Sequence, residues 1–236
     1  MTFQHRVAFI PARSGSKSIP EKNLLRINGK TLLERSINSA VTAEFFDSIF
    51  VSTDSDAYAD LAVQAGAVVP FLRPSHLSND SARTVDVIID FFERYSLYDP
   101  RITRVFLLQP TSPFRAANHI KECMKIVEQS DGRRSLISIT DVGGNHPYRM
   151  QSFDGTFCLN YGGFEEQNFS PRQELPRTYI RNGALYTSML SSILATKKLI
   201  ESSPYGYEMN SIDSVNIDSW EDFWLAEKIA ELGLRD

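Results

Sequence analysis

The chain has 236 residues, 42% of them hydrophobic, which is enough to bury one substantial core and excludes a disordered protein. Its 25 lysines and arginines against 29 aspartates and glutamates leave a formal charge of −4, so a broad nucleic-acid-binding surface is excluded and any phosphate site must be local. Only 2 cysteines occur, Cys123 in a helix-like run and Cys158 in a strand-like run, which excludes a disulfide framework. The apolar run near the N-terminus is too short and wrongly flanked for a signal peptide, and no membrane-length apolar stretch follows, so a soluble, cytoplasmic protein is expected.

In chain order, Val7–Pro11 reads as a first strand, and Leu32, Leu33, Ser36, Ile37, Ala40 and Val41 then fall at helical spacing. Ser48–Ser52 is a second strand, followed by a helix capped by Asp54 or Ser55 and stopped at Gly66. Val68–Leu72 is predicted as a third strand. Val85, Ile88, Ile89 and Phe92 mark a helix, Arg104–Leu108 a buried strand, Ile120, Met124 and Val127 another helix, and Leu136–Ile139 a strand. This alternation is the signature of a mostly parallel sheet with helices on its faces. From about Asp141 to Asn182 the periodicity changes, with a hairpin predicted at Asp154-Gly155 and a polar stretch over Gly162 to Pro176, so 141–182 reads as an insert within one domain spanning 1–236. Beyond it, Ala184–Thr187 is strand-like, Ser191–Ile200 helical, and Val215–Ile217 a short strand. A final helix opens on a capping box at Ser219-Trp220-Glu221-Asp222, with Trp220, Phe223, Trp224, Leu225 and Ile229 as its apolar stripe.

The segment after the first strand, Pro11 to Asn23, sets Arg13, Lys17 and Lys22 among small residues at the carboxyl end of a strand, where open α/β sheets bind ligands. An arginine fork, point charges and approachable backbone N–H groups suit a triphosphate. Charge spacing alone is also compatible with a solvated surface loop. Asn28-Gly29-Lys30-Thr31 resembles the end of a P-loop, but Leu24 stands where its first glycine is required, and no G-x-G-x-x-G follows a strand. The 4 histidines lack metal-ligand spacing, and no Ser-His-Asp arrangement or nucleophile elbow is present, so neither structural zinc nor covalent catalysis is indicated.

The loop IPARSGSKSIPEKN, followed in order by VSTDSD, FLRPSHLSND, LLQPTSPFR, PRQELP and RNGALY, closely resembles the acylneuraminate cytidylyltransferase family over almost the whole chain. The resemblance implies a three-layer, Rossmann-like nucleotide-sugar transferase fold in the α/β class, with the insert serving dimerisation. It implies that the anomeric hydroxyl of a nine-carbon acidic sugar attacks the α-phosphate of CTP, releasing pyrophosphate, with Mg²⁺ as cofactor and a homodimer as the working unit. By residue, Arg13, Lys17 and Lys22 match triphosphate-binding cations, while Asn23, Arg73, Thr84 and Gln109 match positions near nucleotide or sugar. Thr84 replaces a serine and keeps the hydroxyl. Arg149 matches a basic residue that reaches into the partner's site, and Arg172, Asn182 and Tyr186 match sugar-contacting positions. Arginine forks suit a carboxylate, and Asn and Tyr suit hydroxyl or acyl groups.

Two departures from the family pattern matter. At Val215-Asn216-Ile217-Asp218 the family presents an Asp-x-Asp pair and this chain keeps only the second, so Asp218 is expected to be the principal metal ligand, with Asn216 offering a neutral oxygen. Asp218 could instead merely help cap the final helix. At Tyr179-Ile180-Arg181-Asn182-Gly183 the family's Arg-Pro-Asn-Gly has Ile180 at the arginine position. Adjacent residues of an extended strand face opposite ways, so Arg181 inherits the contact only if the backbone rotates locally. Ile180 would then face the sugar and favour a deoxygenated relative such as legionaminic acid, with Arg172 or Arg149 holding the carboxylate. Activation of an eight-carbon acidic sugar and a nucleotide-binding regulator without turnover are the alternatives, the first disfavoured by PRQELP and RNGALY.

Overall fold

A computed structural model describes residues 5–95, 101–130, 132–163 and 171–235. The fold opens on β1 (His5–Pro11), whose unbroken apolar run follows from burial on both faces: Ala8 and Ile10 enter one core, Val7 and Phe9 the other. A tight hairpin follows, β2 (Arg26–Ile27) and β3 (Lys30–Thr31), turned by Asn28 and Gly29 at φ 47° and 77°. The Asn-Gly pair is therefore a turn and no remnant of a phosphate loop. Helix α1 (Leu32–Thr42) starts on Thr31, whose hydroxyl accepts from Glu34 N at 3.1 Å while the Glu34 carboxylate accepts from Thr31 N at 2.7 Å.

The remaining elements are β4 (Ser48–Ser52), α2 (Asp56–Gln64), α3 (Thr84–Tyr95), β5 (Ile102–Leu107), α4 (Ala117–Gln129), β6 (Leu136–Asp141), β7 (Gln151–Phe153), β8 (Cys158–Asn160), β9 (Tyr179–Met189), α5 (Leu190–Thr196), β10 (Tyr205–Glu208) and α6 (Trp220–Glu231). Six strands form one sheet in the order β10-β6-β9-β5-β1-β4, with β9 antiparallel to both neighbours and the other pairings parallel. Helices α1, α2 and α4 cover one face around Leu33, Ile37, Tyr58, Ala62, Ile120 and Val127, while α3 and α5 cover the other around Ile88, Phe91, Phe92, Leu190 and Ile193. This is the expected mostly parallel α/β architecture. It brings the carboxyl ends of β1, β4 and β5 to one edge, where the site lies.

Several local expectations change. Val68–Leu72 is not a strand: Val68 alone bridges to Phe50, and Pro70, which has no N–H, prevents the ladder from continuing. Val215–Ile217 is irregular, fixed by Ile217 N donating to Thr111 O at 2.8 Å rather than by a ladder. Helix α5 stops at Thr196, ahead of the predicted end, on Lys197 in the left-handed conformation. Ser55, not Asp54, caps α2. On α6 the buried face is Phe223, Ala226, Ile229 and Ala230, and Trp220, Trp224 and Leu225 flank it at 40%, 58% and 53% exposure. The predicted hairpin is β7-β8, its turn held by Asp154 Oδ1 accepting from Thr156 N and Phe157 N and by Gly155 at φ 103°. Residues 164–170 of the insert's polar stretch lie outside the described residues. Both cysteines are free thiols, Cys123 buried and Cys158 exposed.

Candidate active site

A cavity of ≈ 470 Å³ opens at the carboxyl ends of β1, β4 and β5. Arg13, Lys17, Lys22, Asn23, Arg73, Thr84, Gln109 and Asp218, residues singled out along more than two hundred positions of sequence, all line it. The loop after β1 is built to hold its shape. Asp54, at the end of β4, accepts from Ser14 N at 2.8 Å and Ser14 Oγ at 3.0 Å, and Asn23 Nδ2 donates to Arg13 O at 2.9 Å. Glu21 sits at φ 52° and receives Tyr58 Oη at 3.0 Å, so a tyrosine anchored in the core fixes the strained residue that turns Lys22 inward. Lys22 Nζ then reaches Ile217 O at 3.0 Å and Asp218 Oδ1 at 3.1 Å, tying the first loop to the last.

Arg73 is buried and donates through Nε to Ser52 Oγ at 3.0 Å and through Nη2 to the Ser52 carbonyl. Burial lowers its pKa to about 10, opposed by Asp54, so it remains a cation at neutral pH behind the loop that follows β1.

Gln109 follows β5, and its side-chain oxygen lies against Gly183. A Cβ added at Gly183 would stand 2.9 Å from Gln109 Oε1 and 3.3 Å from Asn216 Oδ1, and the residue holds φ +81°. Only glycine lets these three residues converge there. Asn216 Nδ2 donates to Asp218 Oδ2 at 2.6 Å, while Asn216 Oδ1 is buried without a hydrogen-bond partner among the described residues. The Asp218 side chain does not cap α6; Ser219 and Asp222 do so reciprocally. That oxygen faces Gly183 while the amide nitrogen faces Asp218, so of the two expected metal-binding residues only Asp218 presents a hard-oxygen donor to the cavity, and Asn216 orients it. No group of three or more His, Cys, Asp or Glu residues able to hold a metal occurs among the described residues, so a cation here would draw its other ligands from substrate and water, the habit of magnesium.

The other expected sugar contacts do not line the cavity. Asn182 is buried and saturated, accepting from Ser138 Oγ at 2.6 Å and Ala184 N at 3.2 Å and donating to Ser214 Oγ at 2.9 Å, so it braces β9 from inside. Arg172 is exposed and pairs with Asp141 at 3.5 Å. Arg149 ends a short turn over Pro147–Arg149, exposed on the insert. Tyr186 is half-buried against the α3 face, where burial raises its phenol pKa.

The register of β9 alters the expectation for Arg181. Ile137 pairs with Tyr186 but Ile139 pairs with Arg181, so β9 carries extra residues in a bulge around Gly183. Ile137 and Ile139 share a sheet face; therefore Tyr186 and Arg181 share it too, despite their odd spacing. The backbone of β9 thus departs from strict alternation here, and Arg181 is exposed and does not line the cavity. Ile180 is 56% exposed and pairs with Thr140, on the face opposite Tyr186.

Sequence reasoning missed three residues of this site. Asp54 was read as a cap because Asp excels there. Asp80, the last residue of FLRPSHLSND, was given no role; it is bonded to both Arg13 and Lys17. Arg115, within LLQPTSPFR, was given no role; it is buried, donates to Gln109 O at 2.8 Å and Ala184 O at 2.9 Å, and burial alone lowers its pKa to about 9.

A cytidylyltransferase family model matches residues 7–231. The chain belongs to this family. Among curated relatives of this cytidylyltransferase-family chain, an N-acylneuraminate cytidylyltransferase of Streptococcus agalactiae serotype V is 34% identical over 92% of this chain and 51% of the relative. The chain thus spans about half the length of the streptococcal relatives it matches. A CMP-N,N'-diacetyllegionaminic acid synthase of Legionella pneumophila is also 34% identical, over 96% of both chains. The solved structure of a CMP:2-keto-3-deoxy-manno-octonic acid synthetase complexed with CTP superposes with a TM-score of 0.68 at 17% identity, covering 98% of this chain and 99% of the other, a likeness of fold. No helix among the described residues is long and apolar enough to cross a membrane.

Proposed function

We propose that this chain is a cytidylyltransferase that joins the anomeric hydroxyl of a nine-carbon acidic sugar to CMP from CTP. The observation that carries the reading is the convergence of Arg13, Lys17, Lys22, Arg73, Gln109 and Asp218 on one cavity at the carboxyl edge of the sheet. The sugar oxygen forms a bond to the α-phosphorus as the bond to the β-phosphate oxygen breaks, the hydroxyl proton passes to water, and pyrophosphate leaves. Arg13 and Lys17 bind the departing phosphates and neutralise the charge that gathers on them, and Asn23 keeps the Arg13 backbone in place. Lys22 holds Asp218, and Gln109 meets Gly183 and Asn216 where nucleotide and sugar join. Asp218, its carboxylate oriented by Asn216 Nδ2, would hold Mg²⁺, which would supply Lewis-acid stabilisation of phosphate charge.

For the sugar carboxylate, Arg181 on the Tyr186 face joins Arg172 and Arg149 as a candidate. Acceptance of a deoxygenated sugar of the legionaminic type at least as well as sialic acid stays within this reading, since relatives named for each are both 34% identical to the chain. The eight-carbon alternative has support only from a solved structure alike in fold. A homodimer fits the β7-β8 hairpin, which presents Phe153, Phe157, Leu159 and Tyr161 at 59–68% exposure; a two-stranded hairpin with that much apolar surface needs a partner. Arg149, beside β7, would serve the neighbouring site. A panel of sialic, legionaminic and pseudaminic acids with CTP and Mg²⁺, scored by CMP-sugar formation, tests the substrate class: turnover of at least one is expected, and turnover of an eight-carbon acidic sugar alone would overturn it.

A further inference from the structure

We propose that Asp80 is an internal anion of the phosphate subsite, which the nucleotide must displace, and that it thereby sets the affinity for CTP and hastens the release of pyrophosphate. The inference rests on the cytidylyl-transfer reading above.

Asp80 lines the cavity opposite the loop that follows β1. Its Oδ1 accepts from Arg13 Nη2 at 2.5 Å and its Oδ2 pairs with Lys17 Nζ at 2.9 Å, so one carboxylate takes both cations meant for phosphate. The bonds from Lys17 and Arg13 hold its carboxyl below the usual carboxylate range, so it is ionised wherever a triphosphate is. The cavity's other carboxylate, Asp218, is engaged differently, with Lys22 and Asn216.

Arg13 and Lys17 keep unused donors, but phosphate oxygens and Asp80 held on the same pair of cations repel one another, so nucleotide binding works against the Asp80 contacts. Asp80 is placed to give way without unfolding anything. Its backbone turn is held independently by Asn79, which donates to His76 O at 2.9 Å and accepts from Ser81 N at 3.0 Å and Ser81 Oγ at 2.6 Å. Lys17, with its side chain 86% exposed, can follow either anion. Nucleotide entry therefore exchanges one set of ion pairs for another, which moderates affinity, and the returning carboxylate recaptures the cations as pyrophosphate departs.

The test uses Asp80→Asn, which keeps shape and removes charge, with thermal unfolding confirming that it folds. Calorimetry would measure pyrophosphate binding without metal and CTP binding with and without Mg²⁺. Because exposed ion pairs are individually weak, both ligands are expected to bind roughly three- to tenfold more tightly to the variant, with pyrophosphate a correspondingly stronger product inhibitor. Unchanged or weaker pyrophosphate binding would overturn the proposal, as would CTP binding weakened only when Mg²⁺ is present, which would make Asp80 a metal ligand. If wild type and variant both bind pyrophosphate but neither binds CTP, the cytidylyl-transfer reading fails, while the pyrophosphate comparison still decides the role of Asp80.

Discussion

Replacing Arg115 by methionine tests whether a charge with no carboxylate partner among the described residues holds the back wall of the site. The guanidinium donates to the Gln109 and Ala184 carbonyls and, through Nε and Nη2, to Ser39 and Ser36 of α1, all in a buried position. Methionine fills similar space but donates to none of them. Gln109 O keeps Ser112 N at 3.3 Å, Ser39 Oγ still donates to Ser36 O at 2.8 Å and Ser36 Oγ to Leu108 O at 3.5 Å, so the Ala184 carbonyl bears most of the loss. Depriving a buried polar group of its partner costs ~1–3 kcal/mol, and bonds from a charged donor contribute ~1.5–3 kcal/mol each. Against this, the variant no longer desolvates a cation, the burden that lowers the Arg115 pKa to about 9. A net destabilisation of about 2 kcal/mol follows, equivalent to a fall in Tm of roughly 4–8 °C for a chain of this size. Gln109 and Gly183 would lose their fixed spacing, lowering kcat/KM by about tenfold or more. Differential scanning calorimetry and steady-state kinetics read the two effects, and Arg115→Lys, which restores one donor, should recover part of each. A Tm and kcat/KM both at the wild-type level in Arg115→Met would refute the reasoning.

Other perturbations separate site from scaffold. Gly183→Ala should fold with a loss of about 1–3 kcal/mol from left-handed strain and lose turnover because its methyl meets Gln109 Oε1 at 2.9 Å; full activity would mean that the three residues need not converge. Lys17→Ala should keep the wild-type Tm, since that side chain is 86% exposed, and lose CTP turnover; a folded variant with normal turnover would remove Lys17 from the phosphate site. His119 has its pKa lowered by burial, against the pull of Asp213, and its Nδ1 accepts from Ala116 N at 3.1 Å, a bond that protonation destroys. The unfolded chain then binds the extra proton as pH falls through about 6.5, so stability is full above that pH and declines below it. His119→Gln should flatten the decline between pH 7 and 5; an unchanged slope would place the titration elsewhere.

What could be read from sequence followed from local physics. β1, β4 and α1 carry their burial pattern and caps in adjacent residues, and the cations after β1 lie within one loop. What escaped reading depends on distant partners. β10, with Gly206 in its middle, looks like a loop until β6 lies beside it; a Cβ at Gly206 would stand 3.0 Å from Ile139 Cδ1, so close approach of the neighbouring strand is why glycine is there. The bulge in β9 is equally invisible to a rule of strict alternation, and it reverses which of Ile180 and Arg181 shares a face with Tyr186. Asp54, Asp80 and Arg115 are ordinary polar residues until the fold sets each against the phosphate loop or the Gln109 segment.

The most direct test of the account is to incubate the chain with CTP, Mg²⁺ and a nine-carbon acidic sugar and to measure CMP-sugar and pyrophosphate together. Equal amounts of both, formed only when sugar, CTP and Mg²⁺ are all present and lost in Asp218→Asn, are what the geometry predicts. Pyrophosphate released without CMP-sugar, or undiminished turnover in Asp218→Asn, would contradict it.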